Sequence, residues 1–418
     1  MKDREFGWCG DERSVRGARL VAAVIVCLGA LLVPQLAHAV TIVVNTSVDE
    51  YDTVANNKCS LREAFKAAQS NAAFGGCIAG EPNLNDQIQL TTSVTLTRDT
   101  PIVVFSTISV WSVWPQRYTI TGRRSGFSVQ NGGNLALSRL KLTGYTLLPL
   151  EVKAWQVGGA IGRPYVSLSE VEFSNNDVGN LSNAAAITVG AGSELFVTRG
   201  VFYRNTSSIR GGAIFNNGSA SFRETTFAEN SANQSGGAIT NYGSMKLINV
   251  TISGNKLISS VGEGTGIYNL TGATLEMWHS TVAGNFSAVA NASPKAVTNL
   301  GTFKAWTSVI ADNSGGLDCS GSFTSLGYNL VGDCSGFTAA GDQAGKASVG
   351  LAAMNAISPG WSVPPVRRGT AGAKVLNYVP WATCNSSVYI DSSNWYDPTG
   401  FYRPDDNACD VGAAESSF

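Results

Sequence analysis

A short motif of small residues ending in isoleucine recurs through the middle of the chain: Gly158-Gly159-Ala160-Ile161, Ala184-Ala185-Ala186-Ile187, Gly211-Gly212-Ala213-Ile214, Gly236-Gly237-Ala238-Ile239 and Gly264-Thr265-Gly266-Ile267, with isoleucine steps of 26, 27, 25 and 28. A second marker, an apolar residue three positions before asparagine, recurs at Phe173/Asn176, Phe202/Asn205, Phe227/Asn230, Ile252/Asn255, Val282/Asn285 and Ile310/Asn313, with steps of 29, 25, 25, 30 and 28. Two markers with one period confine the chain to solenoids, propellers or arrays. A unit of this size cannot bury an apolar face alone and must stack on its neighbours.

The residues between the markers select among these. Short runs of Thr, Val, Phe and Ile are broken by Asn-Gly and Gly-Ser, with no helical periodicity beyond two turns, which excludes helical repeats. The leucine ladder of a leucine-rich repeat is absent, and a propeller blade needs about 40 residues or more. The sequence therefore predicts an all-β, right-handed parallel β-helix over residues 87–313, three short strands to a coil, rising about 4.8 Å per coil.

Aligning the coils on the second marker gives two apolar columns that should form the core. One is Leu137, Leu168, Val197, Phe222, Leu247, Met277 and Ala305; the other is Leu142, Phe173, Phe202, Phe227, Ile252, Val282 and Ile310. The six marker asparagines should stack as a hydrogen-bonded ladder at a corner, since Asn tolerates left-handed turns and its amide both donates and accepts. Three positions before the marker stand Arg139, Glu170, Arg199, Glu224, Asn249, His279 and Thr307; four before it stand Ser138, Ser169, Thr198, Arg223, Ile248, Trp278 and Trp306. Two consecutive outward columns imply a second corner, because strict alternation would send one of them inside.

The ends of the chain read differently. Arg13, Arg16 and Arg19 precede an apolar stretch of 14 residues, Leu20 to Val33, and the small-residue site Ala37-His38-Ala39. This predicts a secretory signal peptide over residues 1–39, the apolar stretch being shorter than the roughly 20 residues that span a bilayer. No later segment is long and apolar enough to span. Six cysteines and one histidine remain, and an even count in an exported chain points to disulfides, with 15 pairings open. They fall into local couples, Cys59 with Cys77, Cys319 with Cys334 and Cys384 with Cys409, and local closure is the simplest expectation. No Cys-x-x-Cys occurs and His279 stands alone, so no metal site and no cofactor are expected. A net charge of −1, from 29 basic and 30 acidic residues, lacks the basic field of a nucleic-acid binder.

Open ends of a β-helix need caps. Ser60-Leu61-Arg62-Glu63 reads as a capping box, and Leu61, Ala64, Phe65 and Ala68 continue at helical spacing, so residues 40–86 should form an N-terminal cap with one short amphipathic helix. The hexapeptide Cys59-Ser60-Leu61-Arg62-Glu63-Ala64, preceded by Val44-Asn45-Thr46 and the acidic Asp49, Glu50 and Asp52, resembles the CSLREA domain of exported bacterial β-helix proteins. Cys409-Asp410-Val411-Gly412-Ala413-Ala414-Glu415 resembles the closing motif of those proteins, within a loop-rich C-terminal segment, 314–418, and Ser325-Leu326-Gly327-Tyr328-Asn329-Leu330 is similar to a segment after their last coil. The Gly-Gly-Ala-Ile and Phe-x-x-Asn pairs resemble the repeats of polymorphic outer-membrane proteins. The resemblance implies a pectin-lyase-like β-helix, secreted or held at the outer-membrane surface of a bacterium, and assigns no chemistry.

Two functional readings follow. The first is attachment or binding at a surface, with a polysaccharide or a host or cell-surface ligand as partner, at a corner patch of Trp278 and Trp306 flanked by Ile248, His279 and Arg223; the rival for that patch is core packing, since the chain after residue 314 must pack somewhere and these coils are nearest to it. Aromatic faces of this kind stack on sugars. The alternative is a polysaccharide lyase or glycoside hydrolase. Its only carboxylate pair in one column is Glu170 and Glu224, two coils and so about 10 Å apart, near the wide spacing of inverting glycosidases.

Overall fold

The computed structural model describes residues 40–352, except positions 83, 155, 158, 159, 291, 293, 315, 346 and 347, together with 379, 380 and 408–413. The predicted signal peptide and Cys384 lie outside the described residues. Among these, the chain winds into a right-handed parallel β-helix. A long sheet of eleven strands runs from Thr41–Val44 to Thr324–Ser325, and a ten-stranded sheet from Val94–Leu96 to Leu330–Val331. A nine-stranded sheet runs from Ile102–Val104 to Cys319–Gly321, and a five-stranded one from Asp177–Gly179 to Phe286–Ser287. A central coil thus has four strands rather than the expected three: Ser219–Arg223, Thr226–Ala228, Ser231–Ala232 and Ile239–Asn241.

Both predicted core columns are in register strand by strand. Leu137, Leu168, Val197, Phe222, Leu247, Met277 and Ala305 are successive partners in the long sheet. Leu142, Phe173, Phe202, Phe227, Ile252, Val282 and Ile310 are successive partners in the ten-stranded sheet. All are buried, and Phe202 stacks on Phe173 at 5.4 Å and on Phe227 at 4.8 Å between ring centroids. The coils extend past 87–313 at both ends. Thr41–Val44 already pairs with Asp86–Leu90, and Cys319–Gly321 and Leu330–Val331 add to the last coil.

One repeat copy is misplaced by sequence spacing. The isoleucine column of the nine-stranded sheet runs Phe127, Leu150, Ile187, Ile214, Ile239, Ile267 and Val297. Ala160–Ile161 is not in it, but pairs antiparallel with Gln156–Val157 in a hairpin between coils. Leu150 fills the position, because the pleat needs an inward apolar residue there and not the preceding small ones.

The corners are held by side-chain amides. Asn176, Asn205, Asn230, Asn255, Asn285 and Asn313 form a continuous ladder, each Nδ2 donating to the next Oδ1 at 2.8–2.9 Å. Asp318 ends it by accepting from Asn313 at 2.8 Å. A second ladder of Asn216, Asn241, Asn269 and Asn299 holds the corner between the nine-stranded and long sheets, at 2.7–2.8 Å.

The cap helix is Leu61–Ser70. Glu63 N–H donates to Ser60 Oγ at 3.2 Å and Ser60 N–H to Glu63 Oε2 at 3.1 Å, the reciprocal bonds of a capping box. Leu61, Ala64, Phe65 and Ala68 face the first coils, with Phe65 5.5 Å from Phe127, and Arg62 pairs with buried Asp49 at 2.9 Å. Disulfides Cys59–Cys77 and Cys319–Cys334 form as expected, with Cα separations of 4.6 and 4.8 Å. Cys409 is disulfide-bonded, while its predicted partner Cys384 falls outside the described residues.

Candidate functional site

The column three before the marker is the corner after the long sheet. Every member, Arg139, Glu170, Arg199, Glu224, Asn249, His279 and Thr307, is in the left-handed region with φ between 44° and 59°. The turn explains how two consecutive columns leave the interior. It also places Arg199 between the two candidate carboxylates. Arg199 Nε lies 2.9 Å from Glu224 and Nη1 4.0 Å from Glu170, and Arg139 Nε lies 3.8 Å from Glu170. An inverting hydrolase keeps that space for a sugar and a water. Here an arginine lies between the two carboxylates, so Glu170 and Glu224 form part of a charge-compensated ladder.

The predicted Trp patch is not an open surface. Trp306 is 1% exposed, His279 1% and Ile248 2%, while Trp278 and Arg223 are half-buried. Trp278 and Trp306 pack edge to face at 6.3 Å, His279 lies 4.7 Å from Trp306, and the Lys246 ammonium sits 4.0 Å over Trp278. His279 Nδ1 is bonded to Thr307 Oγ1 at 2.8 Å. The C-terminal chain returns to this corner: Gly412 N–H donates to Thr307 O at 3.0 Å and Ala413 N–H to Thr281 Oγ1 at 3.0 Å. Val411 and Cys409 join Val309, Ala311 and Leu330 in a second apolar cluster. These residues belong to the packing that seals the last coils.

Carboxylates of Glu50, Asp52 and Glu63 lie within 4.8 Å of one another, the one cation-ligand-like group among the described residues. Glu63 is already used by the amides of Ser60 and Asp52, and Glu50 accepts from Asn56. Their arrangement is accounted for by the helix cap.

The open aromatic surface lies at the other end of the long sheet. Outward side chains there follow the pleat: Gln87 opposite Ser109 and Ala136, and Gln89 opposite Trp111 and Ser138. Beyond Thr107–Ser112 the chain turns through Val113 and Trp114, which are 42% and 73% exposed. Trp111, Trp114, Ser109, Ser112, Ser138 and Arg139 line a groove of about 460 Å³. Its floor is fixed by hydrogen bonds, Ser109 Oγ with the Asn85 amide at 3.0 and 3.2 Å and Ser112 Oγ accepting Tyr118 N–H at 3.2 Å. Arg139 is the one charged residue of the lining. Trp111 lies in the very column that ends in Trp278 and Trp306: Val43, Gln89, Trp111, Ser138, Ser169, Thr198, Arg223, Ile248, Trp278, Trp306. The repeat markers start after these coils, so alignment on them stops short of Trp111. Carrying the Leu137 column back one strand, to Val110, would have found it.

No helix among the described residues is long and apolar enough to cross a membrane. Comparisons with protein-family models, curated proteins and solved structures give no match to this chain.

Proposed function

We propose that this chain is an exported β-helix that binds glycan along the outer face of its long sheet, anchored at the Trp111/Trp114 groove, and performs no chemistry on it. The observation that carries the reading is Trp114, 73% exposed beside half-buried Trp111 over a floor of serines. An indole left in water on a turn beside a sheet is an unused apolar face, and apolar faces beside hydroxyl and amide groups match the alternating faces and edges of a sugar ring. The column beyond Trp111 continues in Ser138, Ser169 and Thr198 at about 4.8 Å per strand, a flat polar track along which an extended chain can lie. With a single arginine in the lining, the groove suits a neutral polysaccharide.

Export is supported by the 1–39 leader pattern, by the two disulfides and by the resemblance of Cys59–Ala64 to the CSLREA domain. The binding reading is favoured over the lyase or hydrolase reading because Glu170 and Glu224 are each held by arginine. Affinity electrophoresis of the mature protein through gels containing soluble neutral polysaccharides tests it. Retardation without release of reducing or unsaturated ends is expected, and chain cleavage would establish the enzyme reading instead.

A further inference from the structure

We infer that the cleft between the cap helix and residues 98–105 is a second binding site, separate from the groove, for an acidic sugar whose ring carries a carboxylate. The cleft holds about 400 Å³, within the range of small-ligand sites. Arg62, Lys66 and Arg98 line it, and no acidic side chain does. Arg62 is 7% exposed and is neutralised from behind by Asp49, at 2.9 and 3.3 Å. Lys66 and Arg98 are exposed and form no ion pair among the described residues, so the cleft keeps two uncompensated cations. Clustered cations with no partner repel one another, and an anion placed among them relieves this.

The remaining lining supplies a platform for a ring. Tyr51 and Phe105 are 42% and 55% exposed, and Phe65 and Ile102 form the buried floor. The Arg98 guanidinium lies 5.8 Å over the Tyr51 ring, which fixes a planar donor at the rim. The two walls are tied together in advance. Gln69 Nε2 donates to Val103 O at 3.0 Å and Phe105 N–H donates to Gln69 Oε1 at 2.9 Å, so the helix satisfies the open edge of strand Ile102–Val104 in the way a neighbouring strand would. A cleft whose walls do not have to close on the ligand loses less affinity to ordering. Bare phosphate would use the cations but not the aromatic rims, and a neutral sugar the reverse.

Isothermal titration of the mature protein with trigalacturonate, maltotriose and inorganic phosphate tests the assignment. Trigalacturonate should bind, and Lys66→Gln and Arg98→Gln should each weaken it about tenfold or more, with melting temperature unchanged; Phe105→Ala should weaken it too. Trp114→Ala should leave it unaltered, which separates this site from the groove. Absence of trigalacturonate binding, binding untouched by the cap substitutions, or loss of binding in Trp114→Ala would overturn the inference. Phosphate binding as tightly as trigalacturonate, indifferent to Phe105→Ala, would overturn the choice of an acidic sugar.

Discussion

Replacing Asn230 with alanine should remove more stability than its small volume suggests. Its Oδ1 accepts Asn205 N–H at 3.0 Å and Asn205 Nδ2 at 2.9 Å, while its Nδ2 donates to Phe202 O and Asn255 Oδ1, both at 2.9 Å. After truncation the Asn205 side chain still donates to Phe173 O, and Asn255 Oδ1 still accepts Asn230 N–H. One fully buried group is left without a partner, the Asn205 N–H, while the Phe202 carbonyl stays within the strand ladder that pairs Phe202 with Phe227. At about 1–3 kcal/mol for that orphan the central expectation is about 2 kcal/mol. Urea unfolding followed by far-UV circular dichroism, with disulfides intact, measures it; Ser221→Ala, on the outer face of the long sheet, serves as a control expected within about 0.5 kcal/mol of wild type. The Asn230→Ala/Asn255→Ala double variant should cost less than the sum of the singles, because the two residues share bonds. A single-variant loss below about 1 kcal/mol would refute the view that the ladder holds the corner.

Trp306→Ala should destabilise by about 3–5 kcal/mol as a core truncation and leave glycan retention unchanged, read by thermal unfolding and affinity electrophoresis. Arg62→Met should cost about 3–5 kcal/mol by stranding buried Asp49, which also accepts the amides of Thr97 and Arg98; the Asp49→Leu/Arg62→Met double variant should recover part of it in the same urea assay. Burial raises the Asp318 carboxyl above its ordinary range against the bonds it accepts from Asn313 and Asp333. A raised folded-state pKa means stability present at low pH and lost as pH rises through the folded-state value, so Asp318→Asn should flatten the part of the slope that lies above the ordinary aspartate range in a melting-temperature series.

The fold was legible because period and polarity are properties of the sequence itself. Columns such as Val197, Phe222 and Leu247, and the asparagine ladder, need only a constant offset from one marker. Offsets fail where the chain departs from the period. In the copy that ends at Ile161, Ala160–Ile161 pairs with Gln156–Val157 outside the isoleucine column, although its step to Ile187 keeps the period. The second asparagine ladder was readable, each member standing two positions after the inward residue of its coil, as in Ile214 and Asn216. What the sequence hides is the left-handed turn at Arg139, Glu170 and Arg199, since none is glycine and such a conformation is uncommon for these residue types. The return of the C-terminal chain to the Trp306 corner was hidden for a different reason: Gly412 and Ala413 bond to Thr307 and Thr281, over 100 positions away, and no local pattern encodes that. The motif Cys59–Ala64 reads as structure throughout, through disulfide, cap, buried leucine, ion pair, capping carboxylate and packed alanine.

The proposed grip of the Trp111/Trp114 groove on glycan, without cutting, is tested most directly by the retardation of Trp114→Ala in polysaccharide gels against wild type. Trp114 is largely in water, so its loss should leave the melting temperature within about 1 °C while weakening retention about tenfold, as removal of a stacking platform does. Retention unchanged in Trp114→Ala and in Trp111→Ala, with both variants folded, would contradict the account.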